Sequence, residues 1–257
     1  MAVTEKVKIE KDGPVTIVTI DRPEVRNAID RETASALANA FHAFEADETA
    51  KVAILAGVGG QFSSGADLKA IARGETLRME ETGDSPIGVA RIRTSKPVIA
   101  AVAGYAVAGG MAMALWCDLR VVEETAVFGM FDRRFGVPMV GGVTVNLPRL
   151  LGLSHAMDLI LTGRAVDAQE AYRMGLANRV VPAGEGITRA KELANELAAF
   201  PWGCLVNDRK ALLDSYDMPT EAAHRNEFRL GQQVFDSGES KDGAGEFVSG
   251  KGKGGVF

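Results

Sequence analysis

The sequence predicts an α/β protein with a partly parallel sheet, followed by a region that is mostly helical. Three observations carry this. Short apolar runs that read as strands alternate with helical spacings through the first half, the order of βαβ units. Two of these runs end in glycine turns, FSSGADLK (Phe62 to Lys69) and GYAVAGGMA (Gly104 to Ala112). Beyond Gly141 the strand pattern gives way to successive periods of 3.6 residues.

Each element has a local reason. The runs VKIE and VTIVTID flank Lys11-Asp12-Gly13-Pro14, the signal of an antiparallel hairpin. After RPEVRNA, Asp30 is placed to cap a helix whose apolar positions Ala34, Leu37, Ala38, Phe41 and Phe44 fall mainly on one face. Val52 to Gly57 reads as a strand. Arg73 to Ser85 is polar without a period and predicts a mobile surface loop or short helix. Strand, helix and strand follow over Pro97 to Gly104, Gly110 to Trp116 and Asp118 to Glu124. Helices are then expected at Val143 to Leu151, Ser154 to Leu161, Asp167 to Met174, Glu185 to Phe200, Trp202 to Leu213 and Thr220 to Asp236. The closing GAGEFVSGKGKGGVF is glycine-rich, and flexibility is expected there unless a ligand or neighbour holds it. The boundaries that follow are a core over 1–195 and a C-terminal helical region and tail over 196–257.

Composition narrows the function. With 257 residues, 46% hydrophobic and 25% charged, the chain has an ordinary globular make-up. No apolar run approaches the roughly 18 residues of a membrane span, and no targeting segment is evident, so a cytoplasmic location is expected. A net charge of -5 offers no general basis for nucleic-acid binding. Cys117 and Cys204 stand apart, and His42, His155 and His224 have no partner at ligand spacing, so no metal centre is expected. Gln61-Phe62-Ser63-Ser64-Gly65 lacks the first glycine of a nucleophile elbow.

The two glycine turns carry the chemistry. A strand, a glycine turn and a helical segment can point free backbone N–H groups outward, and such groups attract negative charge. Two aimed at one thioester oxygen would make an oxyanion hole, each donor typically worth roughly 3 to 4 kcal/mol in the transition state.

At this point the chain resembles the crotonase, or enoyl-CoA hydratase/isomerase, superfamily. The resemblance rests on DRPEVRNAID, FSSGADLK, KPVIAAVAGYAVAGGMAMALWCDLRVV, LPRLLGLSHAMDLILTGRAVDAQEAYRMGLANRVVP and a tail with Phe247, in that order along nearly the whole chain. It implies a crotonase-like spiral of strand-strand-helix turns, with C-terminal helices that assemble trimers or dimers of trimers. It also implies an acyl-CoA thioester as ligand, with coenzyme A part of the substrate and no further cofactor. The oxyanion donors would be the N–H groups of Ala66 and Gly109. Ser64, Asp67, Leu68 and Lys69 continue the CoA-facing segment, and Arg26 and Ala28 belong to the loop along the pantetheine and phosphates. Lys251 and Lys253 of the tail could approach the phosphates.

The resemblance also marks a departure. Hydratases of this family use two glutamates, and the aligned positions here are Ala112 and Asp132. Asp132 is therefore the aligned candidate for acid–base work, which typically contributes roughly 10² to 10⁴-fold. The neighbouring Arg133 and Arg134 leave open whether Asp132 is catalytic or only ion-paired. Asp67 fits a helix cap better than a proton donor, and Arg26 is either a solvated charge or a ligand contact. Three readings remain: hydration of a 2-enoyl-CoA, a proton shift along an unsaturated acyl chain, or a silent acyl-CoA binder. A nucleotide-binding fold is disfavoured because no GxGxxG follows a strand.

Overall fold

The structure is a computed structural model and describes residues 6–252. Strands β1 (Val7–Asp12) and β2 (Val15–Ile20) form the expected hairpin around Gly13. Helix α1 (Arg31–Ala46) starts at Asp30, whose carboxylate accepts from the Thr33 N–H at 2.8 Å. The five apolar positions expected on one face are all buried. Strand β3 (Val52–Gly57), the one-turn helix α2 (Leu68–Ala72), strands β4 (Val98–Val102) and β5 (Tyr105–Val107) and helix α3 (Gly109–Trp116) follow. Next come β6 (Leu119–Glu123) and β7 (Val127–Gly129). The chain continues through α4 (Val143–Leu151), α5 (Leu153–Thr162), β8 (Ala165–Asp167), α6 (Ala168–Arg173) and β9 (Arg179–Val181). The last helices are α7 (Gly186–Ala199), α8 (Trp202–Ser215), α9 (Thr220–Ser237) and α10 (Glu239–Ser249).

Six strands in the order β1-β2-β3-β4-β6-β9 make the main sheet, parallel throughout except for β1 against β2. Strand β4 is buried along its whole length and β3 up to Gly57, which explains their continuous apolar runs. A second sheet has the order β5-β7-β8. Single parallel bridges, Ile29 with Ala66 and Ser63 with Ala106, repeat its pairing for the earlier turns of the chain. Each turn thus lays a long strand in the first sheet, a short extended piece in the second layer, and then a helix, which is the crotonase spiral.

Gly104 makes the step between layers. Its φ of +51° suits glycine, and a β-carbon there would lie 2.3 Å from the Gly60 carbonyl oxygen. Phe41 of α1 meets Trp116 of α3 edge-on at 4.7 Å, while the indole N–H donates to the Ile92 carbonyl at 2.8 Å. Burying side chains such as Phe41, Leu37 and Ile54 contributes roughly 1.5 to 3 kcal/mol each.

The chain separates into two compact units, through Asn195 and from Glu196. In the second, the Glu239 carboxylate accepts from the Gly203 and Cys204 N–H groups at the start of α8, and Asn207 donates to the Leu230 carbonyl. One expectation changes. The glycine-rich tail is helical through Ser249, because Gly243 and Gly245 sit on an amphipathic turn pattern whose i to i−4 ladder outweighs their low propensity. Lys251 pairs with Glu246, and Lys253 lies outside the described residues. The stretch Arg73 to Ser85 is an irregular loop, as expected, in which Arg78 donates to the Thr82 and Asp84 carbonyls and Arg91 to the Glu80 carbonyl.

Candidate active site

The two glycine turns meet. A β-carbon on Gly109 would lie 3.3 Å from the Gly65 Cα and 3.5 Å from the Ala66 nitrogen. The Ala66 N–H is left over by its bridge with Ile29: the Ile29 N–H donates to the Gly65 carbonyl and the Asp67 N–H to the Ile29 carbonyl, so residue 66 points the other way. Gly109 is the first residue of α3, where the N–H has no intrahelical acceptor. Among the described residues neither N–H has a protein acceptor.

The glycines act differently from a simple turn. Gly109 and Gly110 have ordinary φ, and the unusual conformation falls on Ala108, with φ +52° and ψ −120°. Such a conformation costs an alanine on the order of 1 to 3 kcal/mol. Its own N–H is anchored to the Gly129 carbonyl at 2.8 Å, and the rotated peptide after it aims the Gly109 N–H. Gly110 is needed for close approach, since a β-carbon would lie 2.2 Å from the Ser63 carbonyl oxygen. Gly65 does need glycine conformation, at φ +85°.

Both donors open on a cavity of about 330 Å³. Its lining brings together Ser64, Ala66, Leu68, Gly109 and Asp132 of the residues read from the sequence, with Ala112, Gly141 and Ile87 beside them. Asp132 is the single ionisable side chain among the described lining residues. It is 9% exposed, and burial raises its pKa above the ordinary carboxylate value, with backbone hydrogen bonding, including that from the Arg133 N–H, and the Arg133 charge pulling the other way. The arginines are engaged elsewhere. Arg133 donates to the Ile160 carbonyl, and Arg134 donates to the Gly163 carbonyl and covers the Phe131 ring at 4.0 Å. Among the described residues Asp132 makes no ion pair.

Arg26, Ala28, Asp67 and Lys69 do not line the cavity. Asp67 caps α2, accepting from the Lys69 and Ala70 N–H groups at 3.1 Å. Arg26 is exposed, with φ +54°, stacked 5.7 Å from the Tyr105 ring, and its carbonyl accepts from the Ser64 N–H. Ala28 is buried and its carbonyl accepts from Arg22. Lys69 is exposed on α2.

Sequence reasoning assigned no role to Arg22, Asn27, Ala108 or Ile87. Arg22 contacts Asp67 at 3.1 Å and Asp30 at 3.3 Å, tying the loop before α1 to the turn that carries Ala66. Asn27, fully buried at φ +55°, donates to the Val58 and Gln61 carbonyls. Both lie inside the quoted motif DRPEVRNAID; a polar residue in a stretch that must cross a core is the signal that marks them.

The family model described as enoyl-CoA hydratase/isomerase matches residues 10–253. The chain belongs to the enoyl-CoA hydratase/isomerase family. Membership makes it an acyl-CoA-directed enzyme. It is 35% identical over 245 residues to the enoyl-CoA hydratase EchA19 of Mycobacterium tuberculosis, covering 93% of this chain and 92% of the relative. It is 36% identical over 224 residues to a carnitinyl-CoA dehydratase of Salmonella enteritidis, covering 86% and 85%. The crystal structure of the enoyl-CoA hydratase EchA1 from Mycobacterium marinum superposes with a TM-score of 0.89 at 32% identity, covering 96% of both chains. Among the described residues no helix is long and apolar enough to cross a membrane, and no cluster of His, Cys, Asp and Glu suits a metal ion.

Proposed function

We propose that the protein hydrates a 2-enoyl-CoA, reversibly, with one carboxylate. The observation that carries this is Asp132, the single ionisable side chain among the described lining of a cavity that also presents two free N–H groups. The ionised Asp132 takes a proton from water as the water oxygen bonds to Cβ. The alkene electrons move to the thioester oxygen, where the Ala66 and Gly109 N–H groups hold the enolate. Asp132 then returns the proton to Cα and the carbonyl re-forms. Water and substrate balance this step without another reagent, and coenzyme A enters only as part of the substrate.

Ala112 favours a second reading, an isomerase in which Asp132 moves one proton along an unsaturated acyl chain. A single base suits that shift, because it can remove and return the same proton. Loss of the conjugated thioester absorbance on adding crotonyl-CoA supports hydration. Its appearance from a 3-enoyl-CoA, without loss from the 2-enoyl isomer, supports the isomerase. If neither occurs while thioesters bind, the protein is a silent acyl-CoA binder. Assembly as a homotrimer or dimer of trimers belongs to the same proposal; the exposed Leu150, Leu153, Met157 and Leu161 of α4 and α5 support it, and sedimentation mass tests it.

A further inference from the structure

The cavity is larger and more apolar than the reacting atoms need. A four-carbon acyl group takes up on the order of four liquid-water volumes, about 120 Å³ at ~30 Å³ each, against about 330 Å³ here, a space shared with the thioester and the attacking water. Two small residues, Ala112 and Gly141, form part of its lining and pack closely: a β-carbon on Gly141 would lie 3.0 Å from the Ala112 β-carbon and 3.0 Å from Ile87 Cδ1, so a side chain there has to displace its neighbours or intrude on the cavity. Its outer rim is apolar on both sides. Leu68, Ile71 and Met79 come from α2 and the loop after it, and Phe135 and Val140 from the stretch between β7 and α4. These five side chains are left 36% to 68% exposed, Met79 at 62% and Phe135 at 68%. Large apolar groups gathered at one cavity mouth mark a surface awaiting a ligand.

We infer that the acyl group is an extended apolar chain of eight or more carbons, which fills the space beside Ala112 and Gly141 and leaves across the rim formed by Met79 and Phe135. This rests on the acyl-CoA reading above. Asp132 is the single charged side chain among the described lining residues, with Ser64 and Thr76 adding hydroxyls only, so a charged acyl chain finds no second charged partner there. Each methylene that the cavity covers tightens binding about fourfold, from ~0.8 kcal/mol per buried CH₂.

The test is calorimetric binding of saturated butanoyl-, octanoyl- and dodecanoyl-CoA, with coenzyme A itself as reference. The expected result is a dissociation constant that falls on the order of 10²-fold from four to eight carbons. Phe135→Ser and Met79→Ser, both changes on exposed side chains, should flatten the step from eight to twelve. Gly141→Ala should lower the preference for octanoyl over butanoyl by at least tenfold. A dissociation constant independent of chain length in the wild type overturns the inference while leaving the acyl-CoA reading intact. Coenzyme A and all three thioesters failing to bind overturns both.

Discussion

The amide nitrogen of Gly109 lies 2.6 Å from the point where a β-carbon on Gly65 would sit. One methyl group at position 65 would therefore press on a proposed oxyanion donor, at a residue whose φ of +85° already resists a side chain. Gly65→Ala is expected to lower kcat by about 10² to 10³-fold, the cost of losing one such donor. Steady-state kinetics with crotonyl-CoA checks this, with circular dichroism to establish that the variant folds.

Asp132→Asn separates chemistry from stability. The variant should lose about 10² to 10⁴-fold in kcat with little change in KM, since an amide cannot exchange the proton. Burial raises the folded-state pKa of Asp132, so the folded protein binds more protons here than the unfolded chain. The contribution of this group is therefore most favourable below the unfolded value of 3.8 and is lost as pH rises through the folded pKa. At neutral pH the variant should melt at or above the wild-type temperature. The acid limb of the wild-type pH–rate profile should lie above the ordinary aspartate range, because the base must be ionised.

Ala108 carries strain that glycine would relieve. Ala108→Gly is expected to raise stability by about 1 kcal/mol, strain relief offset in part by the larger entropy of glycine in the unfolded chain. The freed peptide also holds the Gly109 N–H less firmly. A kcat loss of up to about tenfold should accompany the higher melting temperature, short of the 10²-fold typical of a 1 Å misplacement. Thermal melts and kinetics on the same preparation read both.

Arg22 stands between two carboxylates whose side chains are 8% and 12% exposed, Asp67 and Asp30. Arg22→Met leaves both without that partner and should cost about 3 kcal/mol in urea unfolding at neutral pH. In the wild type, burial alone would raise the pKa of Asp30. Hydrogen bonds from Lys6 and Thr33 and the charge of Arg22 instead bring it down to about 2. Its stabilisation is present above 3.8 and is lost as pH falls toward about 2, so the deficit of the variant should shrink in acid.

Much of the fold was legible because its signals are local. The hairpin turn at Gly13, the Asp30 cap and the one-sided apolar spacing of α1 each follow from neighbours a few residues apart, and the structure agrees with each. The strands β5, β7, β8 and β9 leave no such local signal. Each is three residues long, too short for a period to register, and exists only because a distant segment completes its hydrogen bonds.

The site divides in the same way. The sequence by itself determined the family, the two glycine turns and the carboxylate at 132, because residue type and order along the chain are enough to recognise them. Only the tertiary structure decided that Ala108, rather than a glycine, takes the rotated peptide, that the Arg133 and Arg134 guanidinium groups bond the Ile160 and Gly163 carbonyls and not the Asp132 carboxylate, and that Arg22 ties two loops together. Those outcomes depend on which backbone groups already have partners and which side chains lie within a few ångströms across long stretches of chain. No linear pattern encodes that competition.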